Sequence, residues 1–328
     1  MNILVTGAAG FIGRHLSMRL LDLGHNVSGL DRLYLSSSNS YNWERSYDLR
    51  TNNHFNAVWL DVKDIATIND QVFYHRDPEV MFHLAADTGV RGSIKDPTRY
   101  FDNNVKNFQH VLEFCRLNGV KHLIYASSSS VYGSVDKPSK EKDTTDYPVS
   151  IYAATKKAME VMAQAYATNY GMKITGVRFF TVYGPWGRQD MAPWLFTSAI
   201  VNEKPLTLYG DGTMYRDFTY VDSIVDCLTK LMDRQGPPHD VFNIGGEKSI
   251  QVIELVRLLE NIIGKEAKII NAPVPAGDVP FTGANMSKFR KLISPQYSRT
   301  SLEDGMVKFV TWFYGYKKSL QNSRNMII

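Results

Sequence analysis

The sequence predicts an α/β protein built on a doubly wound parallel sheet, with a smaller C-terminal substrate-binding lobe. Three observations carry this. Short apolar strands alternate with helical segments through the first half of the chain, the signature of a parallel sheet covered on both faces. A glycine-rich turn joins the first strand to the first helix. Carboxylates or small residues recur at strand ends, where an open α/β sheet builds its crevice.

The elements follow in order. Ile3-Leu4-Val5 is a short buried strand, and the next helix places Ile12, Leu16, Leu20 and Leu23 on one face before Gly24 stops it. Val27–Leu30 is a second strand ending at Asp31, and Ala57–Leu60 a third ending at Asp61. Val80–Leu84, His122–Tyr125 and Lys173–Val177 follow as strands four to six. Periodicity loosens after residue 178, with proline and glycine clustered in Tyr183–Gly187 and Ala272–Pro280. A helix over Val221–Met232 and a strand over Val241–Ile244 interrupt that region. The expected division is therefore residues 1–178, with 217–244 returning to the sheet, and a lobe over 179–328. Leu33–Phe55 is polar and aperiodic, and reads as a loop with a short helix.

Bulk properties narrow the function. The 328 residues are 44% hydrophobic and 21% charged, an ordinary globular composition. A net charge of +4 gives no support for nucleic-acid binding. Cys115 and Cys227 lack metal-ligand spacing, so no metal is expected. No apolar run approaches a membrane span and no signal peptide is visible, so a cytoplasmic protein without membrane association is expected.

Val5-Thr6-Gly7-Ala8-Ala9-Gly10-Phe11-Ile12-Gly13 has the strand–turn–helix context of a dinucleotide site. One glycine permits the turn, one lets the backbone approach a pyrophosphate, and one packs helix on strand. Free N–H groups at the helix start face the phosphates. Asp31, 18 residues after Gly13, can accept from the adenosine ribose hydroxyls and repel a 2′-phosphate, which favours NAD. Arg32 beside it is able in principle to hold that phosphate. Asp61 and Val62 fall near adenine, and Leu84, Ala85 and Ala86 along the cofactor.

Tyr152 and Lys156 stand one helical turn apart on one face. Tyrosine titrates near ~10, too high for a base at neutral pH. A neighbouring ammonium and an oxidised nicotinamide both favour phenolate, so a lowered value is expected. Tyr152 can then take a hydroxyl proton as hydride leaves the same carbon. Ser128 and Ser130, after the fifth strand, are the hydroxyls expected to face the reacting oxygen, with Ser129 a further candidate.

Together these motifs resemble the extended short-chain dehydrogenase/reductase family, whose sheet is the Rossmann fold. The segments Gly89-Val90-Arg91, YASSSSVYG at 125–133, PVSIYAATKKAME at 148–160 and RFFTVYGPWGRQDMA at 178–192 are most similar to the UDP-glucuronate 4-epimerases and related nucleotide-sugar epimerases. GTMYRDFTYVD at 212–222, FNIGG at 242–246 and GDVPFT at 277–282 fit the same group. The resemblance spans nearly the whole chain except Leu33–Phe55.

It implies proton removal from the sugar 4-hydroxyl by Tyr152, hydride passage to NAD, and return of hydride to the other face of a 4-keto sugar. Lys156 positions the nicotinamide ribose. Thr181 and Arg188 resemble the residues near a uronate carboxylate, with Ser127 or Ser129 adding a donor. Arg188 can alternatively bind diphosphate. Arg91 belongs with the substrate residues, Arg216 resembles a diphosphate contact and Asp278 a nucleotide-ribose contact. A homodimer is implied, through the Tyr152 helix and the helix around Asn104–Cys115.

The chain departs from the family pattern at Asn107 and His110, at Asn285 and in the loop after Asp31. Other readings stay open. An epimerase of UDP-glucose or UDP-N-acetylglucosamine is the main rival. A UDP-glucuronate decarboxylase comes next, and then a non-catalytic dinucleotide sensor. A 4,6-dehydratase wants an acid pair where this chain has Ser129-Ser130.

Overall fold

The computed structural model describes residues 1–32, 40–68, 78–292 and 299–325. Its centre is a seven-stranded parallel sheet in the order β10-β6-β5-β4-β1-β2-β3. The first half of the chain supplies β1 (Asn2–Thr6), α1 (Phe11–Asp22), β2 (Asn26–Asp31), α2 (Ser40–Arg45), α3 (Tyr47–Arg50) and β3 (Phe55–Trp59). Then come a 3₁₀ turn over Val62–Thr67, β4 (Val80–His83), α4 (Val90–Lys95), α5 (Pro97–Tyr100), a π-helical turn over Phe101–Lys106, and α6 (Asn107–Leu117). β5 (His122–Ser128), α7 (Ile151–Tyr170) and β6 (Ile174–Phe179) complete this half.

Strand alternation divides the core. Ile3, Val5, Phe82 and Ile124 face one layer, where α1 packs on α9 (see below), while Leu4, Met81, Leu123 and Tyr125 face the layer of α6 and α7. A third cluster lies away from the sheet. It is built by β7 (Thr181–Tyr183), α8 (Ala192–Val201), β8 (Pro205–Tyr209) and β9 (Tyr215–Tyr220). α9 (Val221–Leu231) and β10 (His239–Ile244) return to the large sheet. β11 (Ser249–Gln251), α10 (Val252–Ile263), β12 (Lys268–Ala272), α11 (Ser287–Leu292) and α12 (Leu302–Asn325) close the chain. β7, β9 and β11 form one small sheet, β8 and β12 another.

Two expectations need correction. Leu23 is 49% exposed, because α1 ends at Asp22 and the chain leaves the helical spiral before Leu23 can join the stripe. The sixth strand runs on to Phe179, which places Arg178 within the sheet. Of the polar stretch 33–55, residues 33–39 lie outside the described residues, and the remainder holds two short helices and the start of β3. Among the described residues no helix is long and apolar enough to cross a membrane.

Candidate active site

The cofactor end grows from backbone geometry. Gly7 turns the chain at φ 72° and donates its N–H to Leu30 O at 2.8 Å. A Cβ on Gly7 would lie 2.8 Å from Ala85 N, and one on Gly13 would lie 2.0 Å from Gly7 O. Both glycines are therefore required for contact between β1, α1 and the end of β4. No side chain caps α1 at Gly10, so its first N–H groups stay available to an anionic ligand. Phe11 is buried beneath this turn. Asp31 Oδ2 accepts from Ala9 N at 3.0 Å. Burial pushes the Asp31 carboxyl up to about 6, against the pull of that hydrogen bond and of Arg32 and Arg45. Asp61 caps the 3₁₀ turn by accepting from Lys63 N at 3.1 Å, and Val62 is buried. Leu84-Ala85-Ala86 follows β4, with Ala85 N donating to Thr6 Oγ1 at 3.3 Å.

At the reacting end, Ser150 caps α7 by accepting from Ala153 N at 3.1 Å. Tyr152 and Lys156 sit on its first two turns. The Lys156 ammonium donates to Ala126 O at 2.9 Å and lies 5.9 Å from the centre of the Tyr152 ring. Its burial alone pushes its pKa down to about 7. Ser128 Oγ donates to Ser130 Oγ and accepts from Ser130 N, each at 3.1 Å. Tyr152 titrates above its ordinary value. Burial outweighs both the hydrogen bond with Ser128 and the charge of Arg188.

Ser127 departs from the expectation of a donor toward the sugar. Its hydroxyl donates to Glu160 Oε1 at 2.6 Å, within a buried pair in which Arg178 Nη2 lies 2.7 Å from Glu160 Oε2. Successive residues of β5 point to opposite faces, so Ser127 turns into the α7 layer while Ser128 faces Tyr152. Ser129 is half-buried on the 3₁₀ turn that follows.

Arg188 comes to the reacting end through a strained segment. Trp186 adopts φ 60°, a left-handed conformation that side chains avoid, and Gly187 N donates to Gly184 O at 3.0 Å. Trp186 is held among Tyr41, Trp312 and Tyr316, and Tyr41 Oη donates to Gly187 O at 2.9 Å. Arg188 chelates Asp190 at 3.0 and 2.6 Å and acts electrostatically on both Tyr152 and Tyr100. The Tyr100 ring stands edge-on to Tyr152 at 6.3 Å.

A second cluster gathers Arg91, Arg216 and Asp278. Arg216 Nη2 lies 2.8 Å and Arg91 Nη2 3.7 Å from the two Asp278 oxygens, and Arg91 covers the Tyr209 ring at 4.6 Å. Thr181 is half-buried on β7, opposite Phe218.

Sequence reasoning missed Tyr100, Asp190, Tyr209 and Asn104, and it placed a short helix within Leu33–Phe55 without assigning that helix a role at the site. Asn104 is wholly buried on the π-helical turn. It brackets the backbone of Asp87 at 2.8 and 3.0 Å and reaches Thr155 Oγ1, beside Lys156, at 3.1 Å. The π-helical turn that carries it is a departure from regular helix that only the folded chain reveals. In α2, Arg45 Nη1 donates to Ala9 O at 3.3 Å while Tyr41 grips Gly187, so one short helix ties the glycine turn to the Arg188 segment.

Known proteins resemble this chain along most of its length. Protein CapI of Staphylococcus aureus is 42% identical over 97% of this chain and all of its own. A probable UDP-glucuronate 4-epimerase of Rhizobium meliloti is 39% identical over 95% of this chain and 97% of its own. The crystal structure of a UDP-glucuronic acid 4-epimerase from Bacillus cereus, in complex with UDP-glucuronic acid and NAD, superposes with a TM-score of 0.88 at 34% identity, covering 96% of this chain and all of that one. The NAD dependent epimerase/dehydratase family model matches residues 3–245, and the chain belongs to that family.

Proposed function

We propose that the protein is an NAD-dependent 4-epimerase interconverting UDP-glucuronate and UDP-galacturonate. The site residues fit the cofactor. The glycine turn offers uncapped N–H groups to a pyrophosphate, and the buried Asp31 carboxylate has room for hydroxyl donors besides Ala9 N. NAD, when bound, accepts and returns the C4 hydride and adds the positive charge that favours a Tyr152 phenolate.

The chain's own residues do the rest. Tyr152 accepts the proton of the sugar 4-hydroxyl and later gives it back, so acid and base are one group. Ser128 and Ser130 hold the oxygen from which that proton leaves. Lys156 fixes the nicotinamide ribose. Thr181 and Arg188 hold the uronate carboxylate, which in the 4-keto sugar is β to a ketone and prone to depart as carbon dioxide. Arg91, Arg216 and Asp278 take the diphosphate and nucleotide ribose, within a substrate-binding lobe over 179–328.

The carrying observation is the place of Arg188: its Nη2 and the Tyr100 hydroxyl would lie 3.4 and 3.7 Å from a Cβ on Gly89, and the Tyr100 ring stands 6.3 Å from that of Tyr152, so a guanidinium that suits an anionic sugar is set beside the reacting end. The test incubates purified protein with UDP-glucuronate and NAD and resolves the products. UDP-galacturonate without carbon dioxide supports the proposal. A pentose product makes it a decarboxylase, and turnover of UDP-glucose alone makes it a neutral-sugar epimerase.

A cytoplasmic homodimer belongs to the same proposal. Ile151, Val161 and Tyr170 on α7 are exposed, as are Phe101 and Leu117 near and on α6, beside an apolar groove lined by Ile94, Pro97, Val149 and Ile151. Cys115 and Cys227 are buried thiols, in keeping with a reducing compartment.

A further inference from the structure

Arg32 follows Asp31 directly, at the place where a dinucleotide site chooses between a ribose hydroxyl and a 2′-phosphate. Its guanidinium does not stand free. Nη1 lies 3.7 Å from Asp61 Oδ2, and Nη2 lies 3.5 Å from Asp87 Oδ1. These two carboxylates come from opposite sides. Asp61 follows β3 and Asp87 follows β4, and in the sheet those strands flank β1 and β2. One side chain rooted at the end of β2 therefore links both walls of the crevice above the glycine turn.

Both anchors are themselves held. Asp87 is chelated by Arg99 through two bonds of 2.8 Å, accepts from Asn103, and has its backbone N–H bound by Asn104 Oδ1 at 2.8 Å. Burial raises its pKa, but the bonds from Arg99 and Asn103 outweigh that and hold it ionised. Asp61 Oδ1 is fixed by Lys63 N, leaving Oδ2 toward Arg32. Arg45, the other arginine close to Asp31, is buried, bonded to Ala9 O and laid over the Tyr41 ring at 4.7 Å.

We propose that Arg32 is a latch over the adenosine half of the dinucleotide, closed by Asp61 and Asp87, and that this pairing keeps its guanidinium from serving as a 2′-phosphate ligand. The inference rests on the cofactor reading above. A planar guanidinium over a purine adds cation–π contact, and a latch slows escape of the reduced cofactor, which an epimerase must keep until hydride returns. Asp31 and the latch thus reject NADP by different means. Asp31 repels the phosphate, and the two carboxylates neutralise Arg32, the cation that follows it in the chain.

The test measures NAD and NADP binding by calorimetry, and NAD release by stopped flow, for the wild type, Arg32→Ala, Arg32→Lys, Asp87→Asn and the Arg32→Ala/Asp87→Asn pair. The wild type binding NAD in preference to NADP is the baseline; binding neither dinucleotide sinks the cofactor reading itself. Arg32→Ala is expected to release NAD about tenfold faster while still excluding NADP, with Arg32→Lys intermediate. Asp87→Asn is expected to raise NADP affinity several-fold, and the double variant to lose that gain. Wild-type NAD release from Arg32→Ala overturns the latch. An NADP gain that survives in the double variant, or no gain in a folded Asp87→Asn, overturns the neutralisation. If Asp87→Asn does not fold, Asp61→Asn takes its place in the single and the double variant, with the same outcomes deciding the neutralisation.

Discussion

The two ends of the crevice are built by different means. At the cofactor end the turn itself is backbone, with Gly7 and Gly13 leaving no space for a Cβ and Asp31 fixed by a main-chain N–H, and charged side chains stand around it. At the sugar end the contacts are charged side chains: Arg91 and Arg216, from distant elements, share Asp278, and Arg188 chelates Asp190 two residues along the same loop. A backbone cradle tolerates almost no substitution and reads one ligand. Ion-paired side chains can exchange partners when an anionic substrate arrives, so specificity can drift there while the chemistry stays fixed.

Substitutions can break this contrast. The largest effect is expected for Tyr152→Phe, with turnover falling about a thousandfold and NAD binding preserved; full activity in steady-state assays would remove Tyr152 from the mechanism. Arg188→Ala comes next. About a hundredfold of kcat/KM should be lost on UDP-glucuronate with little change on UDP-glucose, and equal losses on both would assign Arg188 to diphosphate instead. Gly13→Ala forces a Cβ to within 2.0 Å of Gly7 O. It should cost about 1–3 kcal/mol in melting experiments and weaken NAD binding, whereas Arg216→Ala should weaken UDP-sugar binding and leave the melting point nearly unchanged.

The smallest effect concerns pH. Burial raises Asp31 from 3.8 to about 6, so the folded chain binds a proton there that the unfolded chain lacks across that window. Its contribution to stability is full below the lower value and is lost as pH rises through about 6. Ribose hydroxyls bind the ionised form, so NAD affinity runs the other way, falling up to about tenfold per pH unit below about 6. A flat NAD affinity between about pH 5 and about pH 8, measured by calorimetry, would show that Asp31 does not meet the ribose.

What was legible in the sequence follows the same contrast. The glycine turn, Asp31 and the Tyr152–Lys156 pair are local patterns, and the alternation of strands and helices gave the parallel sheet. Ser127 misled because four successive serines look alike until strand pleating assigns them faces. The short helix expected within Leu33–Phe55 is there as α2, but its role was not legible, because its six residues carry no periodicity and are held by aromatic packing from Trp186 and Tyr316. Tyr209 and Asp190 sit in segments whose meaning depends on where the chain returns in space.

The central claim is a closed hydride cycle at C4 of a uronate, run by Tyr152 beside Arg188. UDP-glucuronate carrying deuterium at C4 tests it most directly, by mass spectrometry of the products in ordinary water. The account predicts UDP-galacturonate that keeps the deuterium, with no carbon dioxide and no net reduction of NAD. Deuterium lost to solvent, or a product lacking the carboxylate, would contradict it.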